Sequence, residues 1–266
     1  MAAVALDTNT EFGYELVLVI PYAYWLHQRG RLGQTVSAKH TRELYYFSPR
    51  HSEKYEKRVY STPKVPNKEL HVRDLLYEMW SPPPYKQIFK NDVFVFNKPL
   101  LIVHNKFNRE WGGAPVNYID TATLDGIFTA CTPRFQVVYI RPEATAIVGD
   151  NSEVLTLAGE AEVLSRHSAV LNANTLFQTH RTLCRNFNHF QLMLHACCDV
   201  FVSVQGGSSI LASYFGGTNI IYARRGGELG CGSYEGFYRR LSGCQTIVTD
   251  TYEQLLEAVS MTASNP

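Results

Sequence analysis

The stretch DVFVSVQGGSSILASYFGGTNIIYA, residues 199–223, sets two glycine pairs and a serine pair among apolar residues. It reads as an apolar strand, a glycine turn, a short helix, a second glycine turn and another strand. A tight strand-to-helix connection needs glycine in any case. The same turn also suits a phosphate-bearing ligand: the first N–H groups of a helix are unpaired and partly positive, and glycine lets an anion approach the backbone.

Working outward, the second half of the chain repeats this pattern. FQVVYIRP (135–142), SAVLNANT (168–175), DVFVSVQGG, TNIIYARRGG (218–227) and QTIVTD (245–250) read as strands. TATLDGIFTAC, AEVLSRH, NFNHFQLMLHACC, SSILASYFGG and TYEQLLEAVSMTA read as helices. Alternation at this pitch implies a parallel, doubly wound sheet. The first half is less regular. ELVLVI (15–20), ELYYFSPRH (43–51), DVFVFN (92–97) and PLLIVHNKF (99–107) read as strands, and KELHVRDLLYEMW (68–80) has nearly helical apolar spacing before SPPPYKQ stops it. The fold class expected is α/β, with two Rossmann-like lobes facing a cleft. The TPRF turn (132–135) is taken as the seam between lobes 1–131 and 132–266, the last helix being free to cross back.

The bulk numbers exclude several classes. A chain of 266 residues, 45% hydrophobic, can bury a large core, and a net charge of +1 gives no drive toward nucleic acid or anionic membrane. The 16 Tyr and 14 Phe suit a core and equally a cleft that stacks rings. Six cysteines form no C-x-x-C, which reads as a reducing compartment without structural zinc. ELVLVI is too short for a membrane span or signal peptide, so a soluble, cytosolic protein is expected.

In doubly wound sheets ligands sit beyond the carboxyl ends of the strands. There the first lobe offers His104, Asn105 and Lys106, followed by a loop with Arg109, Glu110 and Trp111. Lys106, Glu110 and Trp111 suit acceptor recognition. The second lobe offers Arg141, whose fork matches phosphate oxygens, then Asn172, then Gly206, Gly207, Ser208 and Ser209. Arginine, amide, hydroxyls and glycine turn on one rim suggest a diphosphate site. The sequence has no G-x-G-x-x-G after a first strand, no G-x-x-x-x-G-K-[ST], no D-x-D and no H-E-x-x-H. A nucleotide-sugar site needing no metal or other cofactor is the reading that remains.

Residues 186–223, with the arginine-bearing VVYIRP, resemble the donor-binding part of GT-B glycosyltransferases. The layout resembles the enzymes with which large algal DNA viruses (chloroviruses) decorate their capsid glycans, among them an inverting xylosyltransferase. The resemblance implies transfer of a sugar, xylose from UDP-xylose in the closest case, to a glycan hydroxyl such as that of fucose. It further implies an inverting mechanism, in which a first-lobe carboxylate or histidine deprotonates the acceptor and positive groups steady the departing diphosphate. Asp74 is the first candidate base and His104 the second, ahead of His71 and Glu110. Arg141, Asn172, Gly206, Gly207, Ser208 and Ser209 would hold the donor. The partners implied are a nucleotide sugar and an oligosaccharide or glycoprotein. A methyltransferase, an epimerase and a non-catalytic nucleotide- or carbohydrate-binding scaffold stand as alternatives.

Overall fold

The computed structural model describes residues 3–143, 148–149 and 153–264. Its strands pair in parallel throughout and fall into two sheets. The smaller joins β1 (Val4–Asp7), β2 (Leu32–Ala38) and β3 (His51–Tyr55) in that order. The larger contains β4 (Leu100–His104), β5 (Gln136–Ile140), β6 (Leu171–Asn172), β7 (Val200–Val204), β8 (Thr218–Tyr222) and β9 (Gln245–Thr249). Its order, β6-β5-β4-β7-β8-β9, is 3-2-1-4-5-6 in the sheet's own numbering, the Rossmann arrangement.

The five-residue apolar runs of this sheet are buried on both faces, as a parallel sheet requires. Leu100, Ile102, Val138, Phe201 and Ile221 join one apolar cluster. Leu101, Val103, Val137, Val202 and Ile220 join the other, with Leu124, Ile127 and Phe128 of helix Thr121–Cys131 and Leu255 and Val259 of helix Tyr252–Ser264. Period-two alternation therefore divides each strand between two helical layers.

The seam lies elsewhere than the sequence suggested. β4, on the first-lobe side of an expected boundary at 131/132, pairs with β5 and β7 at the centre of the second sheet. In a doubly wound sheet the first strand lies in the middle, and nothing in a strand's own residues says which sheet it enters. Thr132–Phe135 is an ordinary helix-to-strand turn, closed by Phe135 N–H to the Cys131 carbonyl at 2.9 Å. The last helix stays with the second sheet: Leu256 closes on Gly126, and Arg134 Nη1 donates to the Ser264 carbonyl at 2.6 Å.

The first lobe departs most from expectation. ELVLVI is a helix, not a strand: helix Phe12–Tyr14 continues through a π-helical segment, Glu15–Val19, into helix Ile20–Gln28. Leu16–Ile20 are buried on every side, and a helix apolar all round reads in sequence like a buried strand. ELYYFSPRH forms turns that bury Leu44, Tyr45 and Phe47 ahead of the polar strand HSEKY. DVFVFN is also a turn, with Asn91 Oδ1 accepting from the N–H groups of Val93 and Phe94. Residues 68–76 form no helix; only a 3₁₀ turn, Tyr77–Met79, follows. One strand reading in the second half needs correction in detail as well: SAVLNANT yields only the two-residue β6 before helix Ala173–Thr179 begins.

One apolar cluster spans the two lobes, joining Leu6, Leu16–Ile20, Tyr45 and Trp80 to Ile102, Leu194, Phe201 and Phe215. The Tyr214 hydroxyl donates to the Leu16 carbonyl at 2.5 Å within it.

Candidate functional site at the switch point

The order of the larger sheet reverses between β4 and β7, and a ligand crevice is expected beyond their carboxyl ends. A cavity of about 820 Å³ opens there. The second lobe contributes the loop His104–Gly112 after β4 and the turn Gln205–Ser208 after β7. The first lobe contributes Glu11–Tyr14, which follow β1, together with Arg58, Tyr60, Leu70 and His71.

Glycine shapes the floor. Gly206 has φ 122° and ψ −160°, a conformation closed to residues with a side chain. Next to it, a Cβ on Gly207 would stand 2.8 Å from Phe12 Cδ1, so the missing side chain is what lets the first lobe touch the turn. The Lys106 ammonium lies over the same turn, 3.5 Å from where a Gly206 Cβ would be.

A chain of polar contacts crosses the cleft from there. Lys106 Nζ pairs with Glu110 Oε1 at 2.9 Å, and Glu110 accepts from Asn117 Nδ2 at 2.8 Å. Asn117 is buried and also donates to Gln205 Oε1 (2.6 Å) and the Arg225 carbonyl (2.8 Å), while its Oδ1 accepts from Arg224 N–H. Gln205 Nε2 donates to Glu228 Oε2 at 2.6 Å, which lies 3.5 Å from His71 Nε2. His71 Nδ1 in turn lies 3.3 Å from Glu69, the carboxylate that accepts from the Tyr14 hydroxyl.

The cations on the wall are matched by carboxylates. Arg58 meets Glu15 at 2.5 Å, Lys106 meets Glu110, and Arg109 meets Glu153 at 2.7 Å. Arg141 forks onto Glu160 through both Nε and Nη2. A diphosphate binding here competes with these anions for its cations.

The site residues expected from sequence divide accordingly. His104, Lys106, Glu110, Trp111, Arg141, Gly206, Gly207 and Ser208 all line the cavity. Lys106, Glu110 and Trp111 do so from the second lobe, not the first, because β4 carries them. Asp74 is exposed beside Arg73 and Tyr77 and does not line the cavity, since the amphipathic helix that would have aimed it does not form. Asn172 also lies off the cavity wall; its side chain caps helix Ala173–Thr179, accepting from Asn174 and Thr175 N–H groups. Ser209 is fully buried, its hydroxyl donating to the Gly206 carbonyl, so it braces the turn from behind.

His104 faces His195, Nε2 to Nε2 at 2.7 Å, and His195 Nδ1 lies 2.6 Å from the Gln191 carbonyl. The carbonyl only accepts, so His195 carries its proton on Nδ1 and receives His104 Nε2–H on the other nitrogen. Burial pushes His195 down to about 3 and His104 well below the ordinary histidine range, the neighbouring imidazole adding to the second. The pair is neutral, and burial opposes the cation that a base must become.

Sequence reasoning missed Glu11, Phe12, Tyr14, Arg58 and Asn117. Glu11, Phe12 and Tyr14 follow β1, whose four residues VALD give almost no strand signal, and Arg58 follows the polar β3; Asn117 carries none.

No family model and no curated protein matches the sequence. A solved structure does: the ADP-heptose lipopolysaccharide heptosyltransferase II of E. coli, with a TM-score of 0.57 over 98% of this chain and 99% of that one, at 10% identity. The likeness is one of fold, and it extends over both lobes and the cleft: the chain has the GT-B architecture.

Proposed function

We propose that the chain is an inverting glycosyltransferase that moves a sugar from a nucleotide-sugar donor to a hydroxyl of a glycan acceptor, without a metal. The observation that carries this reading is the cavity itself. A glycine turn with a lysine over it, at the switch point of a Rossmann sheet, faces a carboxylate-bearing loop of the opposite lobe. In this reading the Gly207 and Ser208 N–H groups, the Ser208 hydroxyl and Lys106 receive the diphosphate and stabilise it as it leaves.

The base is Glu11. Of the carboxylates that line the cavity, Glu110, Glu153 and Glu228 stand on the second lobe, on the same side as the donor turn. Glu11 lines the cavity from the first lobe, the side from which an acceptor would be presented. It takes the acceptor proton as the oxygen attacks the anomeric carbon, whose bond to the diphosphate breaks on the opposite face. The xylose donor and fucose acceptor expected from sequence rest on resemblance alone, and UDP-xylose is one member of the panel to test.

The test is a panel of UDP-, GDP-, ADP- and CMP-sugars screened for thermal stabilisation and for transfer, with and without EDTA. One nucleotide class should stabilise the protein irrespective of chelator. Glu11→Gln should keep donor affinity and lose about 10²- to 10⁴-fold in transfer rate. Undiminished transfer by that variant removes Glu11 from the role. Nucleotide binding without turnover on any acceptor would favour the scaffold reading, and binding of S-adenosylmethionine or NAD alone would refute the donor site.

A further inference from the structure

Trp111 is the one residue of the cavity wall that the backbone holds at a cost. It occupies φ 50° and Gly112 φ 75°, between Glu110 and Gly113, which are joined by a 2.9 Å bond from Gly113 N–H to the Glu110 carbonyl. Two central residues at positive φ mark a type I′ turn, whose first position suits Asn, Asp or Gly. A bulky aromatic there is a backbone outlier. The strain does not serve burial: Trp111 is 63% exposed at the rim of the cavity. Its ring contact is the Arg225 guanidinium, 5.6 Å from the ring centre. A residue held in a strained conformation with a large apolar ring facing solvent invites a functional explanation.

We propose that Trp111 is a stacking platform for the nucleobase of the donor, with Arg225 steadying the ring; this rests on the nucleotide-sugar reading above. Asn117 decides between a base and an acceptor sugar. That one buried amide bonds Glu110 at the start of the Trp111 turn, Gln205 just before Gly206, and the backbone of Arg225. The Trp111 turn, the backbone of Arg225 and the glycine turn are thereby fixed to one another within a single lobe. A ligand with a flat ring and a phosphate at a set separation matches that arrangement, whereas an acceptor held by the opposite lobe would not need it.

The test uses the whole chain with UDP, GDP and ADP as probes and with inorganic pyrophosphate and ribose 5-phosphate as base-free controls. Trp80 is buried and Trp25 stacks on Tyr22, so Trp111 is the indole that solvent and ligand reach most freely. Nucleoside diphosphates should change its emission, and the base-free probes should not. Trp111→Asn should weaken nucleoside diphosphate binding about 5- to 100-fold, leave pyrophosphate binding unchanged, and raise the melting temperature by about 2–4 °C as the turn relaxes. Trp111→Phe should retain most of the affinity. Unchanged nucleotide affinity in Trp111→Asn, or a loss confined to the acceptor, overturns the platform and leaves the donor site standing. A lower melting temperature in that variant overturns the strain argument, and failure of the wild type to bind any nucleotide overturns both readings.

Discussion

Replacing Glu110 by glutamine should tighten the binding of a nucleoside diphosphate. The Lys106 ammonium lies over the glycine turn but is held 2.9 Å from Glu110 Oε1, so a diphosphate must draw it away from a carboxylate already in place. Glutamine keeps an oxygen for Asn117 and removes the competing charge. Two unit charges 4 Å apart are worth about 1 kcal/mol in water and about 4 at an effective dielectric of 20. The lysine side chain is 25% exposed and that of Glu110 8%, which puts the pair between those limits. A gain of about 1.4 kcal/mol, tenfold in Kd, follows. Calorimetric titration with UDP or ADP at about 50 mM salt should show it, and the gain should shrink at about 0.5 M as screening shortens the reach of the exposed charge. Equal or weaker binding at low salt would mean that Glu110 orders the site through Asn117 more than it competes for Lys106, and the electrostatic reasoning would fail.

Two further outcomes concern stability. Arg58→Met should cost about 3–5 kcal/mol in urea unfolding, because it strands Glu15, a fully buried carboxylate whose Oε2 has no hydrogen bond besides the ion pair with Arg58. Adding Glu15→Gln should restore most of it, and an additive double variant would show that the pair is not coupled. Acid should also weaken the fold. Burial lowers His104, His195, His51 and His189, so the unfolded chain takes up protons below its ordinary histidine value of about 6.5 while the native chain, with His195 near about 3, does not. Stability is therefore fully present above about pH 6.5 and falls below it, by up to about 1.4 kcal/mol per pH unit for each such histidine. A melting temperature that stays flat from pH 7.5 to 5 would contradict that sign.

The second lobe was legible because its strands are five-residue apolar runs separated by helices with clear caps, such as Asp120 and Asn186. The first was not. β3 is HSEKY, with nothing apolar but its tyrosine, and the longest apolar run of the lobe is a helix buried all round. Both errors come from the same source: periodicity reports which faces are buried, and a segment buried on all faces or on none has no period to read. The glycine turn and the polar residues after β4 were recognised as strand ends because glycine and abrupt polarity mark such ends directly, although β4 was assigned to the wrong lobe. Asp74 was expected at the cleft but lies off its wall, because its apparent stripe, Leu70, Val72, Leu75 and Leu76, belongs to a segment without a helix, in which Leu70 and Leu75 are buried and Leu76 is exposed. Arg141 was located correctly, but a sequence cannot show that Glu160 already occupies its fork.

The bond from Tyr214 to Leu16 joins residues 198 apart, and the helix it anchors has no other home for its apolar surface than the shared cluster. During synthesis, at ~5–20 residues per second, Leu16–Ile20 emerge ~10–40 s before the residues that will cover them. The first lobe is therefore the first made and the last completed. Until then its buried carboxylate and apolar helix wait on the nascent chain, a target for holding chaperones and proteases. A premature stop ahead of Tyr214 would cost the molecule its amino-terminal half as well as its carboxyl-terminal one.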